Sequence, residues 1–284
     1  MTGIIVIGGG PAGVMAALTA ADQGATVELW ERNRSFGRKL AITGKGRCNV
    51  TNATETEELV RNLPGNGQFL YGAFSRFGAV DVMDFFEQRC GLSLKTERGR
   101  RVFPASDRAR DVVEALEGQL KLAGVPVLYQ TRAKKLALRQ GKIAGVYDFS
   151  GALHPAQAVV IATGGVTYPA TGSTGDGYTL AEQAGHSIVP PKPSLVPLEI
   201  REAWPARLSG LSLKNVELTL LCGEQTLDKA FGEMLFTHFG VSGPIVLTLS
   251  KTVCAQKDQG RGLRLSLDLK PALSPEQLQE ILTN

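Results

Sequence analysis

The sequence has few of the residue types that build metal centres or disulfide frameworks. Its 284 residues include only four cysteines and three histidines. No cysteine pair has the C-x-x-C spacing, which excludes zinc ribbons and dithiol redox motifs, and the scattered histidines predict no metal site. Isolated thiols are typical of a reducing compartment, so a cytoplasmic location is expected; they are Cys48, Cys90, Cys222 and Cys254.

A strong charge imbalance and a convincing targeting segment are also missing. The net charge is +4, from 31 Lys and Arg against 27 Asp and Glu, which is too small to indicate a nucleic-acid partner unless it is clustered. The uncharged stretch 3–21 has no preceding Lys or Arg, and a Gly-Gly-Gly-Pro run interrupts it. A tight turn is therefore expected there, rather than a signal peptide or a membrane span.

Glycine is abundant, with 33 residues and no collagen-like period, which predicts many turns or ligand-facing loops. The β-branched run 4–7 predicts a buried strand, the segment 14–24 a helix, and residues 26–31 a second strand. This βαβ order predicts an α/β fold with a doubly wound parallel sheet.

The first connection carries the pattern Gly8-x-Gly10-x-x-Gly13 in the context that a dinucleotide site requires. Gly8 permits the turn, Gly10 lets a pyrophosphate approach the backbone, and Gly13 lets helix and strand pack closely. Glu31, at the end of the second strand, can accept hydrogen bonds from ribose hydroxyls and would repel a 2′-phosphate. The pattern favours FAD or NAD over NADP; the alternative is a glycine-rich turn in an unrelated α/β protein.

Further along, residues 55–90 are expected to be mainly helical, and Asp107 is a candidate cap for a helix over 109–123. The proline-rich run 190–193 predicts a domain boundary. After it, short alternating segments predict a β-rich second domain. The core positions expected in the helical region are Val80, Met83, Phe85 and Phe86, and the strands expected in the second domain are 196–200, 216–221, 245–249 and 263–267.

The loop 37–52 is rich in Gly, Lys and Arg and could wrap an anion with its backbone N–H groups. It lacks the P-loop spacing. The alternative is a solvated basic loop with nucleic acid as its candidate partner, but no aromatic residue from 38 to 52 supports base stacking.

Three long segments, together with the N-terminal fingerprint, resemble a family of bacterial flavoproteins described as NAD(P)/FAD-dependent oxidoreductases, which includes an aminoacetone oxidase and a bile-acid dehydro-intermediate reductase. The segments are 37–52 (GRKLAITGKGRCNVTN), 162–178 (ATGGVTYPATGSTGDGY, continuing to 193–198) and 232–244 (GEMLFTHFGVSGP). The resemblance implies a Rossmann-like FAD-binding domain of the glutathione-reductase type with an inserted β-rich domain. It also implies that the chain is truncated at its C-terminus. Residues 1–193 would form an incomplete FAD-binding domain, and 194–284 the inserted domain running into the start of a helical subdomain.

The resemblance further implies which residues bind the cofactor. Gly8 to Gly13, with Pro11 and Ala12, would hold the pyrophosphate, and Glu31 the adenosine ribose. Residues flanking the adenosine and phosphates would be Arg32, Arg38 and Lys39. Residues running past the pyrophosphate, ribityl chain and flavin would be Gly44, Gly46, Arg47, Cys48, Asn49 and Thr51, with Asn49 the main polar contact. The adenine would meet the backbone of Ala133, and the cofactor would lie near Thr163 and Gly164.

No catalytic residue is identified by pattern alone. His238 is a candidate proton donor or a packing histidine, and Tyr168 could face the flavin or belong to a turn. Cys48 could act in redox chemistry, but it has no nearby partner, which favours a structural thiol.

These patterns predict an FAD-dependent oxidoreductase that transfers a hydride between a small organic substrate and flavin, with the substrate between the flavin and the inserted domain. Only one G-x-G-x-x-G is present, so no separate nicotinamide domain is expected. NAD(P)H would bind transiently as reductant, or oxygen would serve as acceptor. The alternatives are a non-catalytic FAD- or nucleotide-binding module and, from the basic loops, an RNA-modifying flavoprotein.

Overall fold

The computed structural model describes residues 2–63, 65–257 and 262–283. They form two compact units, Met1–Ile188 and Val189–Asn284. The proline-rich run 190–193 predicts a domain boundary after residue 193, five positions further along the chain than the division between these units. Within the described ranges, no helix is long and apolar enough to cross a membrane.

The first unit contains nine strands and seven α-helices in its described residues. The strands are β1 (Thr2–Ile7), β2 (Val27–Glu31), β3 (Thr51–Asn52), β4 (Leu94–Glu97), β5 (Arg101–Pro104), β6 (Val127–Tyr129), β7 (Ala133–Arg139), β8 (Lys142–Asp148) and β9 (Leu153–Ile161). The helices are α1 (Pro11–Asp22), α2 (Arg38–Ile42), α3 (Thr56–Asn62), α4 (Tyr71–Phe74), α5 (Ala79–Asp84), α6 (Ala109–Leu122) and α7 (Asp176–Gln183).

The central sheet of this unit has the strand order β6-β2-β1-β9-β8-β7. Strands β6, β2, β1 and β9 are parallel, and β7 and β8 add an antiparallel hairpin at one side. Since β1 lies between β2 and β9, the chain leaves the centre of the sheet in one direction and returns on the other side. Ligands bind at such a reversal, beyond the carboxyl ends of the strands. The predicted α/β class with a Rossmann-type sheet is confirmed.

Both faces of β1 are buried, as its uninterrupted β-branched run predicts. Val6 packs with Val14 and Leu18 of α1 and with Leu116 of α6. On the opposite face, Ile5 belongs to a cluster with Trp30, Leu136 of the hairpin and Leu180 of α7. A small separate sheet, in the order β3-β5-β4, takes β3 from before the helical region and β4 and β5 from after it.

Two expectations for the first unit were wrong. Val80 is 61% exposed, because α5 turns Ala79 toward the interior instead; Phe85 and Phe86 are buried as expected. Asp107 does not cap α6, whose cap residue is Arg108 without a side-chain hydrogen bond. The Asp107 carboxylate instead forms ion pairs with Arg47 and Lys95.

In its described residues the second unit has five strands in the order β10-β13-β12-β11-β14, all antiparallel, and two α-helices. The elements are β10 (Leu198–Glu199), β11 (Ser212–Cys222), β12 (Gln225–Thr237), β13 (Gly240–Ser242), α8 (Pro244–Lys257), β14 (Leu263–Asp268) and α9 (Pro275–Thr283). Residues 245–249, expected as a strand, begin α8. Ile245, Val246 and Leu249 are buried at helical spacing against the sheet, and Pro244 occupies the first helical position.

The turn between β8 and β9 is closed by Asp148, which gives the hairpin a pH dependence. Its carboxylate accepts hydrogen bonds from the Ser150 hydroxyl and the Ala152 N–H, and it lies 2.9 Å from His154 Nε2. The Ser150 and His154 contacts hold the pKa of Asp148 well below its usual range. The resulting stabilisation is present above about pH 4 and is lost as the pH falls toward the lowered pKa.

We therefore expect Asp148→Asn to lower the melting temperature at pH 7, and we expect this deficit to shrink in acid. Thermal melts of both proteins between pH 7 and pH 3 should show the two melting temperatures converging below about pH 4. A constant difference across this range would contradict the assignment.

Candidate nucleotide-binding site

A cleft of about 630 Å³ lies at the carboxyl ends of the four parallel strands. Its walls come from the segment after β1, the end of β2, the residues after β6, the end of β9 and the start of α7. The lining residues that the sequence predicted as cofactor-binding are Gly8, Gly10, Pro11, Ala12, Glu31, Arg32, Arg38, Lys39, Ala133, Thr163 and Gly164. The structure thus brings together residues that are up to 156 positions apart in the chain, from Gly8 to Gly164.

The three fingerprint glycines differ in what surrounds them. A Cβ on Gly13 would lie 1.9 Å from the Gly8 carbonyl oxygen, so only glycine lets α1 pack this closely on the turn. Gly8 itself has φ +116°, where a Cβ would meet the Ala162 carbonyl oxygen at 2.3 Å. A Cβ on Gly10 would meet nothing within 4 Å. Gly10 therefore faces open space beside the N-terminus of α1, whose N–H groups and dipole favour a phosphate.

Glu31 is buried at the end of β2, with 6% of its surface exposed. Its Oε2 accepts a hydrogen bond from the Gly9 N–H at 3.0 Å, and its Oε1 accepts two from Asn33, both at 2.7 Å. A carboxylate offers about four acceptor positions, so these three bonds fix its orientation and leave capacity for a ribose hydroxyl.

The cations nearest the glycine turn keep their charge available. Arg38 donates to the Asn33 side-chain oxygen at 2.9 Å, and Lys39 donates to the Thr167 carbonyl at 2.7 Å. Both partners are uncharged, so a pyrophosphate could still be attracted to these two side chains. The Lys39 bond also ties the segment 164–175 to the start of α2.

The cations at the other end of the cleft share one carboxylate. Asp176, the first residue of α7, is paired with Arg132 through two bonds of 2.8 and 3.0 Å and with Arg32 at 3.2 Å. Arg132 lowers the pKa of Asp176, and Arg32 adds to the effect, so the carboxylate is charged at neutral pH. Thr174 donates a further hydrogen bond to it at 2.7 Å.

One buried polar atom in the cleft lacks a protein partner. The Thr163 hydroxyl oxygen, just beyond the end of β9, is buried and makes no hydrogen bond. Buried hydroxyls nearly always have a partner, so this atom is suited to a ligand. With open space at Gly10, an oriented carboxylate and two uncompensated cations, the lining fits a dinucleotide.

The segment predicted to follow the flavin does not line the cleft. The residues of this segment that are absent from the cleft lining are Gly44, Gly46, Arg47, Cys48, Asn49 and Thr51. Gly13 is also outside the lining, because the Gly8 carbonyl lies against it. Arg47 forms ion pairs with Glu97 and Asp107 and lies over the Phe103 ring at 4.1 Å. The Asn49 amide is placed to donate to the carbonyls of Thr51 and Val102. The flavin contacts of this segment stay a prediction.

Cys48 is 1% exposed, and burial raises the pKa of its thiol. Burial also raises the pKa of Cys90 to about 11. At neutral pH the thiolate fraction of Cys90 should be roughly 100-fold below that of an ordinary cysteine. All four cysteines are free thiols in the structure.

We expect Cys48 and Cys90 to resist alkylation by iodoacetamide in the folded chain at pH 7 and to react fully in urea. Peptide mass spectrometry would read each site, with the half-buried Cys222 and Cys254 as internal references. Rapid labelling of folded Cys48 would contradict a structural role for this thiol.

The two candidate catalytic residues are exposed. Tyr168 is 67% exposed, has φ 53° and precedes a short helical turn. His238 lies in the second unit at the β12–β13 turn, with its ring edge-on to Phe239 at 4.9 Å. Their catalytic roles stay predictions.

Sequence reasoning assigned no role to several residues of the cleft. They are Asn33, Thr131, Arg132, Ser173, Asp176 and Tyr178. The segment 172–177 entered the sequence analysis only as part of the stretch 162–178 that carries the family resemblance. Its Gly-Ser-Thr-Gly-Asp composition before a helix was the available signal, because small residues let a loop approach a ligand closely.

Comparison with known proteins places the chain among related sequences. A 3-dehydro-bile acid delta(4,6)-reductase from Clostridium scindens is 32% identical over 282 residues, covering 99% of this chain and 67% of the reductase. A ribosomal RNA dihydrouridine synthase from Haemophilus influenzae is 32% identical over 250 residues, covering 87% of this chain and 60% of the synthase. The chain therefore spans about two thirds or less of the length of these relatives.

A solved structure, the open conformation of a flavocytochrome c3 fumarate reductase, has a TM-score of 0.48 at 18% identity, covering 75% of this chain and 47% of that chain. The model of the HI0933-like protein Rossmann domain matches residues 2–250, which is most of the sequence. The chain belongs to the HI0933-like family of Rossmann-domain flavoproteins.

Proposed function

We propose that this chain is the FAD-binding part of a flavin-dependent oxidoreductase that exchanges a hydride with a small organic substrate. The observation that carries the proposal is the cleft: Gly10 opens onto free space at the N-terminus of α1, and the oriented Glu31 carboxylate lies at the end of the adjacent strand. This combination suits a pyrophosphate and a ribose on one ligand.

The chain's own residues would bind and orient FAD. Arg38 and Lys39 would face the pyrophosphate, Glu31 would accept a ribose hydroxyl, and Thr163 would supply a hydroxyl partner near the end of β9. When bound, FAD supplies the hydride chemistry through its flavin ring.

The proposed substrate has a carbon–carbon double bond that accepts hydrogen. Support comes from the names of two relatives, a delta(4,6)-reductase and a dihydrouridine synthase, both of which describe saturation of such a bond. The electron donor in this proposal is NAD(P)H that binds transiently, since residues 1–284 contain one G-x-G-x-x-G fingerprint. The competing assignment is an oxidase that passes electrons to oxygen.

Anaerobic mixing of the FAD-loaded protein with NADH or NADPH tests this function. A reductase should lose its yellow flavin absorbance within the mixing experiment and regain it when an unsaturated substrate is added. Persistent yellow colour with both nucleotides, followed by bleaching with a reduced organic substrate, would support the oxidase. A bound flavin that no donor reduces would indicate a non-catalytic module.

A second candidate is reduction of a base in RNA, which the ribosomal RNA dihydrouridine synthases favour. Against it, Arg47 of the basic loop is already paired with two carboxylates, which lowers the positive charge available there. Binding to an RNA hairpin should be measured at low salt, where phosphate contacts are strongest. Salt-sensitive binding would favour this candidate, and a flat isotherm would remove it.

A further inference from the structure

Two arginines line the cleft near Glu31, the carboxylate proposed to hold the adenosine ribose. Arg32 directly follows Glu31 at the end of β2, and Arg132 follows β6, the next strand of the sheet. Both line the cleft. In dinucleotide-binding folds an arginine near this carboxylate accommodates a 2′-phosphate. By position alone, these side chains would favour the phosphorylated nucleotide.

Asp176 pairs with both arginines and so competes with a 2′-phosphate for them. Its two carboxylate oxygens accept bonds from Arg132 Nε and Nη2, in the bidentate geometry that is among the strongest for this pair, and one of them also contacts Arg32 Nη1. Arg32 is held further by the Gly172 carbonyl at 3.3 Å and the Thr174 hydroxyl at 2.6 Å. Arg32 Nη1 and Arg132 Nε and Nη2 are therefore already engaged within the protein.

The charges along the cleft separate into two regions. At the glycine turn, Arg38 and Lys39 contact only uncharged oxygens in their hydrogen bonds. At the ribose end, the two positive charges of Arg32 and Arg132 are cancelled by Asp176 and Glu31. An additional dianionic group would be attracted at the first region and would meet no net positive charge at the second.

We propose that Asp176 is a specificity-determining residue, which engages Arg32 and Arg132 and so restricts the cleft to adenosine without a 2′-phosphate. This inference rests on the proposed nucleotide-binding function of the cleft. Asp176 on α7 and Glu31 at the end of β2 would then both act against a 2′-phosphate.

The test compares the full chain and its Asp176→Asn variant, with 5′-AMP and adenosine 2′,5′-bisphosphate as probes in titration calorimetry, because these two nucleotides differ only in the 2′-phosphate. The unmodified chain should prefer 5′-AMP. Asp176→Asn keeps the side-chain shape and removes the charge, so it should shift the preference toward the bisphosphate by about tenfold or more. Adding Arg132→Gln to this variant should reverse most of that gain.

Asp111→Asn is the matched control. Asp111 is also in the first turn of a helix, pairs with Arg108 at 2.9 Å, and has the same 18% side-chain exposure as Asp176, but it lies outside the cleft lining. The Asp111→Asn variant should discriminate against the bisphosphate as strongly as the unmodified chain does. Circular dichroism would verify that each variant is folded.

Three results would overturn the inference. The first is a folded Asp176→Asn variant whose preference equals that of Asp111→Asn while FAD still binds; this leaves the proposed function intact. The second is an unmodified chain that binds the bisphosphate as tightly as 5′-AMP, which needs no variant to be folded. The third is a chain that binds neither FAD nor 5′-AMP, in which case the proposed function fails as well.

Discussion

Replacing Gly13 with alanine is expected to destabilise the first unit by about 3 kcal/mol or more. The new Cβ would lie 1.9 Å from the Gly8 carbonyl oxygen, and it would also come within 3.4 Å of the Ala162 side chain. Backbone cannot yield as a flexible side chain does, so α1 would have to move away from β1. That movement would open the core between Val6, Val14 and Leu18.

Chemical denaturation followed by circular dichroism would measure this loss. Gly118→Ala is the control, because Gly118 lies on the exposed side of α6 and a Cβ there would meet nothing within 4 Å. It should stabilise the protein by about 0.5–1 kcal/mol through helix propensity. Equal stabilities for the two alanine variants would show that helix and turn are not packed as described.

Replacing Gly10 with alanine should have the opposite combination of effects, with stability retained and FAD binding reduced about 100-fold or more. Gly10 has φ −88° and ψ 176°, which alanine adopts without strain. Its Cβ meets no protein atom within 4 Å, but it would occupy the space where a pyrophosphate approaches the N-terminus of α1.

Flavin fluorescence titration would give the affinity, and the denaturation midpoint would report stability. Gly118→Ala again serves as control and should bind FAD as the unmodified chain does. A Gly10→Ala variant that binds FAD normally would place the phosphates elsewhere. One that loses both binding and stability would give the glycine a folding role instead.

The parts of the fold that were predictable are those specified by neighbouring residues. The β-branched run of β1, the glycine pattern and the carboxylate at the end of β2 follow one another within 31 positions, so local chemistry fixes their order and geometry. The prediction of a strand at 245–249 was wrong for a related reason. A short apolar run satisfies strand and helix patterns equally, and packing of α8 on the antiparallel sheet decided between them.

The site could be predicted only where it is local in sequence. The pairing of Arg132 with Asp176 joins residues 44 positions apart, and that of Arg32 with Asp176 joins residues 144 apart. Such contacts depend on which strands become neighbours in the sheet. Similarly, aspartate is a residue type favoured at helix caps, but Asp107 pairs instead with Lys95 on β4 and with Arg47 of the basic loop.

Direct titration of the purified chain with FAD, followed by displacement with 5′-ADP, tests the central claim most closely. The cleft is lined by groups suited to a pyrophosphate and a ribose, so FAD should bind in a one-to-one complex with a changed flavin spectrum, and excess 5′-ADP should displace it. A flavin spectrum and fluorescence that remain those of free FAD at every protein concentration would contradict the account.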